Sequence, residues 1–151
     1  MLELATTKDR SDINRLARQV HEMHVQWRPD LYQMPEELYP EELFTELVKQ
    51  RELYVAKKDG AVIGFVLIRM RVSEGIGKIT RKIMCIDQVC VDEPLRNRGI
   101  GSQMMEEVRI LARACGCTDL QLGVYPQNDA AVSFYQKSGF MIRSIDMQRK
   151  I

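Results

Sequence analysis

Apolar residues recur three and four apart at Ile13, Leu16, Ala17, Val20 and either Met23 or His24, behind the possible caps Asp9, Ser11 and Asp12. That period predicts an amphipathic helix over about residues 10 to 26, ended by Arg28-Pro29. A second helix is predicted from about Pro40 to Gln50, with Pro40 suited to its first turn and Leu43, Phe44, Leu47 and Val48 on one face. Then the pattern changes. LYVAKKDGAVIGFVLIRMR reads as two strands joined at Asp59-Gly60, a dipeptide that supplies the positive φ of a tight hairpin. The polar VSEGIGKIT leads to a third strand over Ile83 to Val91, followed by a helix that turns Ile100, Met104, Val108, Leu111, Ala112 and Cys115 inward and stops at Gly116. A short buried strand, DLQLGV, precedes a two-turn helix, AAVSFYQK, capped by Asn128 or Asp129 and closed by Ser138-Gly139; a last strand is expected from about Phe140 to Arg149. This order predicts an α+β domain with a mixed sheet in three layers.

Length fits a single domain spanning residues 1–151, since a chain of this size buries about 70% of its unfolded surface. Hydrophobic residues make up 45% and charged residues 28%, without a linker or low-complexity run, so the chain is expected to be globular throughout. A net charge of +1 excludes a broad nucleic-acid footprint but leaves room for local cationic sites. MLELATTKDRSDINRL has no signal-like apolar core and no window approaches ~18 apolar residues, so the expectation is a soluble cytoplasmic protein with no membrane partner. Cysteines at 85, 90, 115 and 117 lack the paired spacing of structural zinc sites, and His21 and His24 are three apart rather than four, so no metal is expected.

The chemistry concentrates in LRNRGIGSQMMEEV, residues 95–108, where two arginines and two glycines stand between a strand and a helix. One glycine would suffice for a turn. Gly99 and Gly101 at a helix start leave backbone N–H groups bare and aligned with the helix dipole, an arrangement that binds anions, and Arg96 and Arg98 add charge that suits phosphate. The dinucleotide fingerprint fails because Gln103 and Met104 stand where glycine or alanine is needed, and Gly77-Lys78 lacks both the first glycine and the hydroxyl residue of a P-loop.

Arg96-x-x-Gly99-x-Gly101 after VCVDEPL resembles the [RQ]-x-x-G-x-[GA] signature of the GNAT superfamily of N-acetyltransferases. Leu122-Gly123-Val124 followed by Asn128, Ala131, Phe134-Tyr135, Lys137 and Gly139-Phe140 is similar to that superfamily's second hallmark, and the two segments together cover about residues 83 to 140. The resemblance implies a GNAT-like fold, a central, mostly antiparallel twisted sheet flanked by helices, and acetyl-CoA as co-substrate. It implies that the coenzyme pyrophosphate rests on the backbone from Asn97 through Arg98, Gly99, Ile100 and Gly101 to Ser102, beside Arg96. The pantetheine arm would pair with the edge of Val89, Cys90 and Val91, and Asn128 would contact the arm as well as cap its helix.

Acetyl transfer to an amine needs a free nitrogen lone pair, stabilisation of the oxyanion and a proton for the leaving thiolate. An amine of pKa ~10.4 is mostly protonated at pH 7, a deficit of about 4–5 kcal/mol. By resemblance Tyr135 meets the coenzyme sulfur, against the plainer role of packing beside Phe134. Asp87 is expected on the same strand face as Val89 and Val91 by period-two alternation, acting through water or holding the ammonium, against the plainer role of a salt bridge. The acceptor, a primary amine of a small molecule, is expected against the loop from Trp27 to Tyr39, where Trp27, Tyr32 and Tyr39 with Asp30, Glu36 and Glu37 would receive a cation. By the same resemblance, the branch that acetylates ribosomal-protein N-termini carries a glutamate where this chain has Gly123, which weighs against a protein N-terminal acetylase. A protein N-terminal or lysine acetyltransferase and a non-catalytic acyl-CoA-binding module remain the alternatives, as a monomer or a homodimer.

Overall fold

The computed structural model describes residues 2–151. Five strands, β1 (Leu2–Leu4), β2 (Leu53–Lys58), β3 (Ala61–Ser73), β4 (Arg81–Val91) and β5 (Asp119–Leu122), form one sheet in the order β1-β2-β3-β4-β5. Every neighbouring pair is antiparallel except β4 and β5, which run parallel. The hairpin between β2 and β3 turns at Asp59 and Gly60, both at positive φ, as the dipeptide predicts.

Two layers of helix cover the sheet. On one face α1 (Arg10–Trp27) and α2 (Glu41–Lys49) bury Ile13, Leu16, Ala17, Phe44 and Leu47 against Leu53, Val55, Phe65 and Cys90. On the other, α3 (Ile100–Ala114) buries Met105, Val108 and Ala112 against Val66, Ile68, Met84 and Ile86, with α4 (Asp129–Lys137) packed through Phe134 and Tyr135. The helical period of the sequence is therefore the period of the core.

Three features depart from the pattern reading. The three-residue strand β1 is too short to show alternation, yet it pairs with Tyr54 to Ala56 at the sheet's first edge. β5 is half-buried rather than buried, because nothing pairs with its outer edge. The expected last strand over Phe140 to Arg149 does not form: that segment has no ladder partner among the described residues, and a strand needs one.

Gly64 fixes how closely β3, β4 and α3 meet. A Cβ there would lie 2.8 Å from the Cys90 carbonyl oxygen and 2.9 Å from the Met104 sulfur. Gly64→Ala should displace β4 at Cys90 and Val91 and cost about 1–3 kcal/mol in urea unfolding, in the range of other overpacking changes. Unchanged stability would show that Met104 and the strand give way freely.

Candidate active site

Beyond β4 the chain makes a short turn, Glu93–Leu95, and enters α3 through Asn97 at φ 61° and Gly99 at φ 81°. The helix makes its first bond from the Gln103 N–H to the Gly99 carbonyl at 3.0 Å, so among the described residues the N–H groups from Asn97 to Ser102 have no carbonyl acceptor. These bare N–H groups at the start of a helix dipole are the arrangement from which the sequence leads one to expect anion binding. Around Gly99 an added Cβ meets nothing within 4 Å; the glycine is needed for its left-handed backbone and leaves open space outside it.

Gly101 has a different reason. A Cβ there would come within 3.3 Å of the Phe134 ring and 3.8 Å of the Val91 side chain, so its bareness lets α4 and β4 approach α3. The two arginines also separate. Arg98 is exposed beside the loop, whereas Arg96 turns inward, its Nε donating to the Val91 carbonyl at 2.9 Å and its NH2 to Gln19 Oε1 at 3.3 Å. Arg96 thus braces the turn. Gln19 Oε1 also accepts the Glu93 N–H at 3.0 Å, and Asp92 accepts from Arg15 at 2.8 Å and Gln19 at 2.9 Å. Burial alone would raise the Asp92 carboxyl, but these donors hold it below the ordinary carboxylate range.

The pairing of β4 with β5 ends at Ile86 and Leu122, while β4 continues to Val91. From Asp87 to Val91 its edge on that side carries no strand, and this bare edge runs toward the turn before α3. A bulge falls where the strands part: Leu67 pairs with Gln88 and Ile68 with Ile86, leaving Asp87 unopposed. The extra residue breaks the alternation. Val89 packs on the α3 side, but Asp87 forms an ion pair with Arg69 on the opposite face, beside Leu38, Tyr39 and Leu67. The expectation that Asp87 shares the face of Val89 and Val91 is corrected by that single residue.

On α4, Asn128 Oδ1 accepts the Ala131 N–H at 3.2 Å, the cap expected, and its side-chain amide has no partner among the described residues. Tyr135 lies between the rings of Phe134 and Phe140, at centroid distances of 5.3 and 5.7 Å. Burial pushes its phenol up to about 12, and its hydroxyl makes no hydrogen bond within the protein among the described residues. Since Phe134 touches Gly101, the anion-binding turn and Tyr135 are packed as one unit. Cys90 is buried on the α1 side, its thiol donating to the Leu16 carbonyl at 3.4 Å, and burial pushes it up to about 11. Burial therefore disfavours its thiolate, the nucleophilic form.

The loop after α1 is only partly as expected. Tyr32 meets Tyr125, hydroxyl to hydroxyl at 2.6 Å, just beyond β5, and Trp27 packs beside His24. Tyr39 instead belongs to the core, 5% exposed, with its hydroxyl donating to Gln88. Asp30 is occupied by Arg28 and Lys150, and Glu37 by Arg10, so these acids are not free to receive a cation. Two residues join that the sequence reading gave no role at this site: Tyr125, and His24, whose ring lies 5.4 Å from Tyr32 and 5.7 Å from Tyr125. Burial, then the neighbouring His21, lowers the His24 pKa and favours the neutral ring. The helical period places His24 on the first helix without a role at this site, and contact across 93 residues between Tyr32 and Tyr125 leaves no local signal.

The family model for the acetyltransferase (GNAT) family matches residues 17–140. A curated relative, an uncharacterized N-acetyltransferase of Methanocaldococcus jannaschii, is 30% identical over 99 residues, covering 64% of this chain and 43% of that protein. GCN5-related N-acetyltransferase 7, chloroplastic, of Arabidopsis thaliana is 36% identical over 67 residues, covering 44% of this chain and 24% of that protein. The chain spans less than half the length of either curated relative. Among solved structures, a tetramutant protein of Bacillus halodurans superposes with a TM-score of 0.93 at 26% identity, over 100% of this chain and 99% of that one. An aminoglycoside N-acetyltransferase in complex with coenzyme A shares the fold with a TM-score of 0.69 at 17% identity, over 100% of each chain.

Gly99→Val should leave the protein folded and weaken acetyl-CoA binding at least tenfold by calorimetry, because a branched side chain disfavours the left-handed turn and intrudes on the open space. Arg98→Ala should cost only a few-fold, a loss that shrinks as salt is added. Unchanged affinity in folded Gly99→Val would remove the anion from this turn.

Proposed function

We propose that this chain, which belongs to the acetyltransferase (GNAT) family, transfers the acetyl group of acetyl-CoA to a primary amine of a small molecule in the cytoplasm. The observation that carries this reading is the bare edge of β4 between the anion-binding turn and Tyr135. In it the pyrophosphate takes the N–H groups of Asn97 to Ser102, the pantetheine arm lies along Val89 to Val91, and Asn128 offers its free amide. The thioester then comes to Tyr135.

The amine attacks the thioester carbonyl directly: a C–N bond forms, the C–S bond breaks, the coenzyme leaves as thiol, and the nitrogen loses a proton. A buried, protonated Cys90 favours direct attack over an acyl-cysteine route. A phenol at about 12 facing a thiol near ~8.5 makes full proton transfer uphill by about 5 kcal/mol, so Tyr135 serves as a hydrogen-bond donor that strengthens as charge grows on sulfur. A backbone N–H near Cys90 polarises the carbonyl.

The amine enters where α1 ends, between Trp27, His24, Tyr32 and Tyr125. Asp87, displaced by the bulge to the α2 side, pairs with Arg69, and in this reading it serves the acceptor amine rather than the coenzyme. The Tyr32–Tyr125 contact bridges the end of the cleft, which suits a small amine better than an extended peptide. Gly123 is consistent with that preference. A thiol-release screen over amino sugars, polyamines, amino acids and peptides tests the reading; binding of acetyl-CoA without turnover on any amine would favour a non-catalytic module.

Tyr135→Phe should keep acetyl-CoA affinity within a few-fold and lower kcat about 10- to 100-fold, the weight of a hydrogen bond to a charged group. An unaltered kcat where chemistry limits the rate would leave Tyr135 a packing residue. Asp87→Asn should lower kcat/KM for the amine, with the deficit greatest where the amine is an ammonium ion and vanishing as pH approaches ~10. A deficit equal at every pH would assign Asp87 to the Arg69 ion pair alone.

A further inference from the structure

A pocket of about 360 Å³ opens on the α2 side of the sheet beside Asp87, the first residue of β4 beyond its pairing with β5. Its wall is largely aliphatic. Leu38 comes from the loop before α2, Leu43 and Leu47 from successive turns of α2, and Leu67 from β3, where it pairs with Gln88 at the bulge. Leu43 shares the inward-facing side of α2 with the buried Leu47, four residues on, yet is left 46% exposed. An apolar side chain on a core-facing stripe, with a pocket and not the sheet before it, is a surface that a ligand can cover.

The polar groups of the wall are few and mostly committed. The Tyr39 hydroxyl donates to Gln88, and Arg69 pairs with Asp87. The carboxylate of Glu52 makes neither a hydrogen bond nor an ion pair among the described residues, and acts on Arg69 only through charge at longer range. Two carboxylates against one guanidinium leave the pocket one charge negative. The side chain of Asp87 is 28% exposed and that of Arg69 62%, so the acid is seated in the wall while its partner reaches into water. An ionised carboxylate offers about four acceptor sites, more than Arg69 occupies, and an exposed ion pair is weak. An ammonium ion can join Asp87 or take the place of Arg69.

The volume is at the lower end of the ~300–1,000 Å³ of small-molecule pockets. A sugar carries a hydroxyl on nearly every carbon, and each would be buried against leucine without a partner. A polyamine brings more positive charge than one net negative charge balances. A single ammonium on a short apolar body meets neither obstacle.

We propose that this pocket holds the body of the acceptor, and that the acceptor is a primary monoamine carrying a compact apolar group, an alkyl or arylalkyl amine. The inference rests on the acetyl-transfer reading above, with the amine nitrogen at Asp87 and the thioester on the bare edge that begins there. Leu38, Leu43, Leu47 and Leu67 then determine specificity, since each methylene of the acceptor leaves water for their side chains.

Thiol release from acetyl-CoA by straight-chain amines from ethylamine to hexylamine tests the proposal, because the amino group is the same throughout and only the apolar body grows. kcat/KM should rise about fourfold per methylene, the worth of one buried CH2, and level off once the pocket is full. Glucosamine and spermidine should be at least about tenfold poorer than pentylamine. Leu43→Ser, at a half-exposed position, should lower kcat/KM for pentylamine at least about fivefold, mostly through KM, and flatten the rise along the series, with acetyl-CoA affinity within about twofold. Ile110→Ser, similarly exposed on α3 but outside the pocket, should change neither. A flat series, a preference for glucosamine or spermidine, or a steep series that Leu43→Ser leaves steep would overturn the proposal while acetyl transfer stands. Release with none of these amines or with any other would remove the acetyl-transfer reading and the proposal with it.

Discussion

The parting of β4 from β5 is the constraint on which the site depends. A parallel pair held for four residues and then abandoned leaves one strand with a full set of peptide groups on one side and nothing to satisfy them. In the interior of a sheet that would be a defect. Here it is held open on purpose by rigid surroundings: β3 grips the other edge of β4 throughout its length, and Gly64 lets Met104 press close behind Cys90. The cleft belongs to the packed scaffold.

The same packing connects the two ends of that edge. At one end Arg15, Gln19, Asp92 and Arg96 tie α1 to the turn before α3, fixing the bare backbone N–H groups that follow it. At the other, the Phe134 contact with Gly101 sets Tyr135 relative to the same helix. Side chains that resemble ligand-binding groups in the sequence are in part the braces that keep backbone groups available. The bulge at Asp87 divides the strand between the two faces of the sheet, with Val89 on the α3 side and an acid on the other.

Much of this was legible in the sequence, and what was not has a physical reason. Helices α1 to α4 and the Asp59-Gly60 hairpin follow from periodicity and turn chemistry, which are local. The bare N–H groups of the turn before α3 are legible because they belong to the backbone, so glycine spacing alone points to them. Asp87 was placed on the wrong face because a bulge is set by the register between two strands, and one extra residue inverts every inference from alternation. Tyr39 reads like the other loop aromatics until the fold buries it, and the Tyr32–Tyr125 pair joins segments whose proximity no spacing records. Residues 140–149 read as a strand from their place after the last helix, yet strand formation depends on an available edge.

The central claim is that β4 lends its bare edge to a ligand arm as it would to a strand. Backbone amide exchange resolved to single residues, with and without saturating acetyl-CoA, tests it most directly. The account predicts new protection at residues 88–91 and 97–102 together, with no change along β2, whose peptide groups are already paired. Protection confined to 97–102 would mean that the phosphates bind but the edge stays empty. Protection at neither would contradict the account altogether.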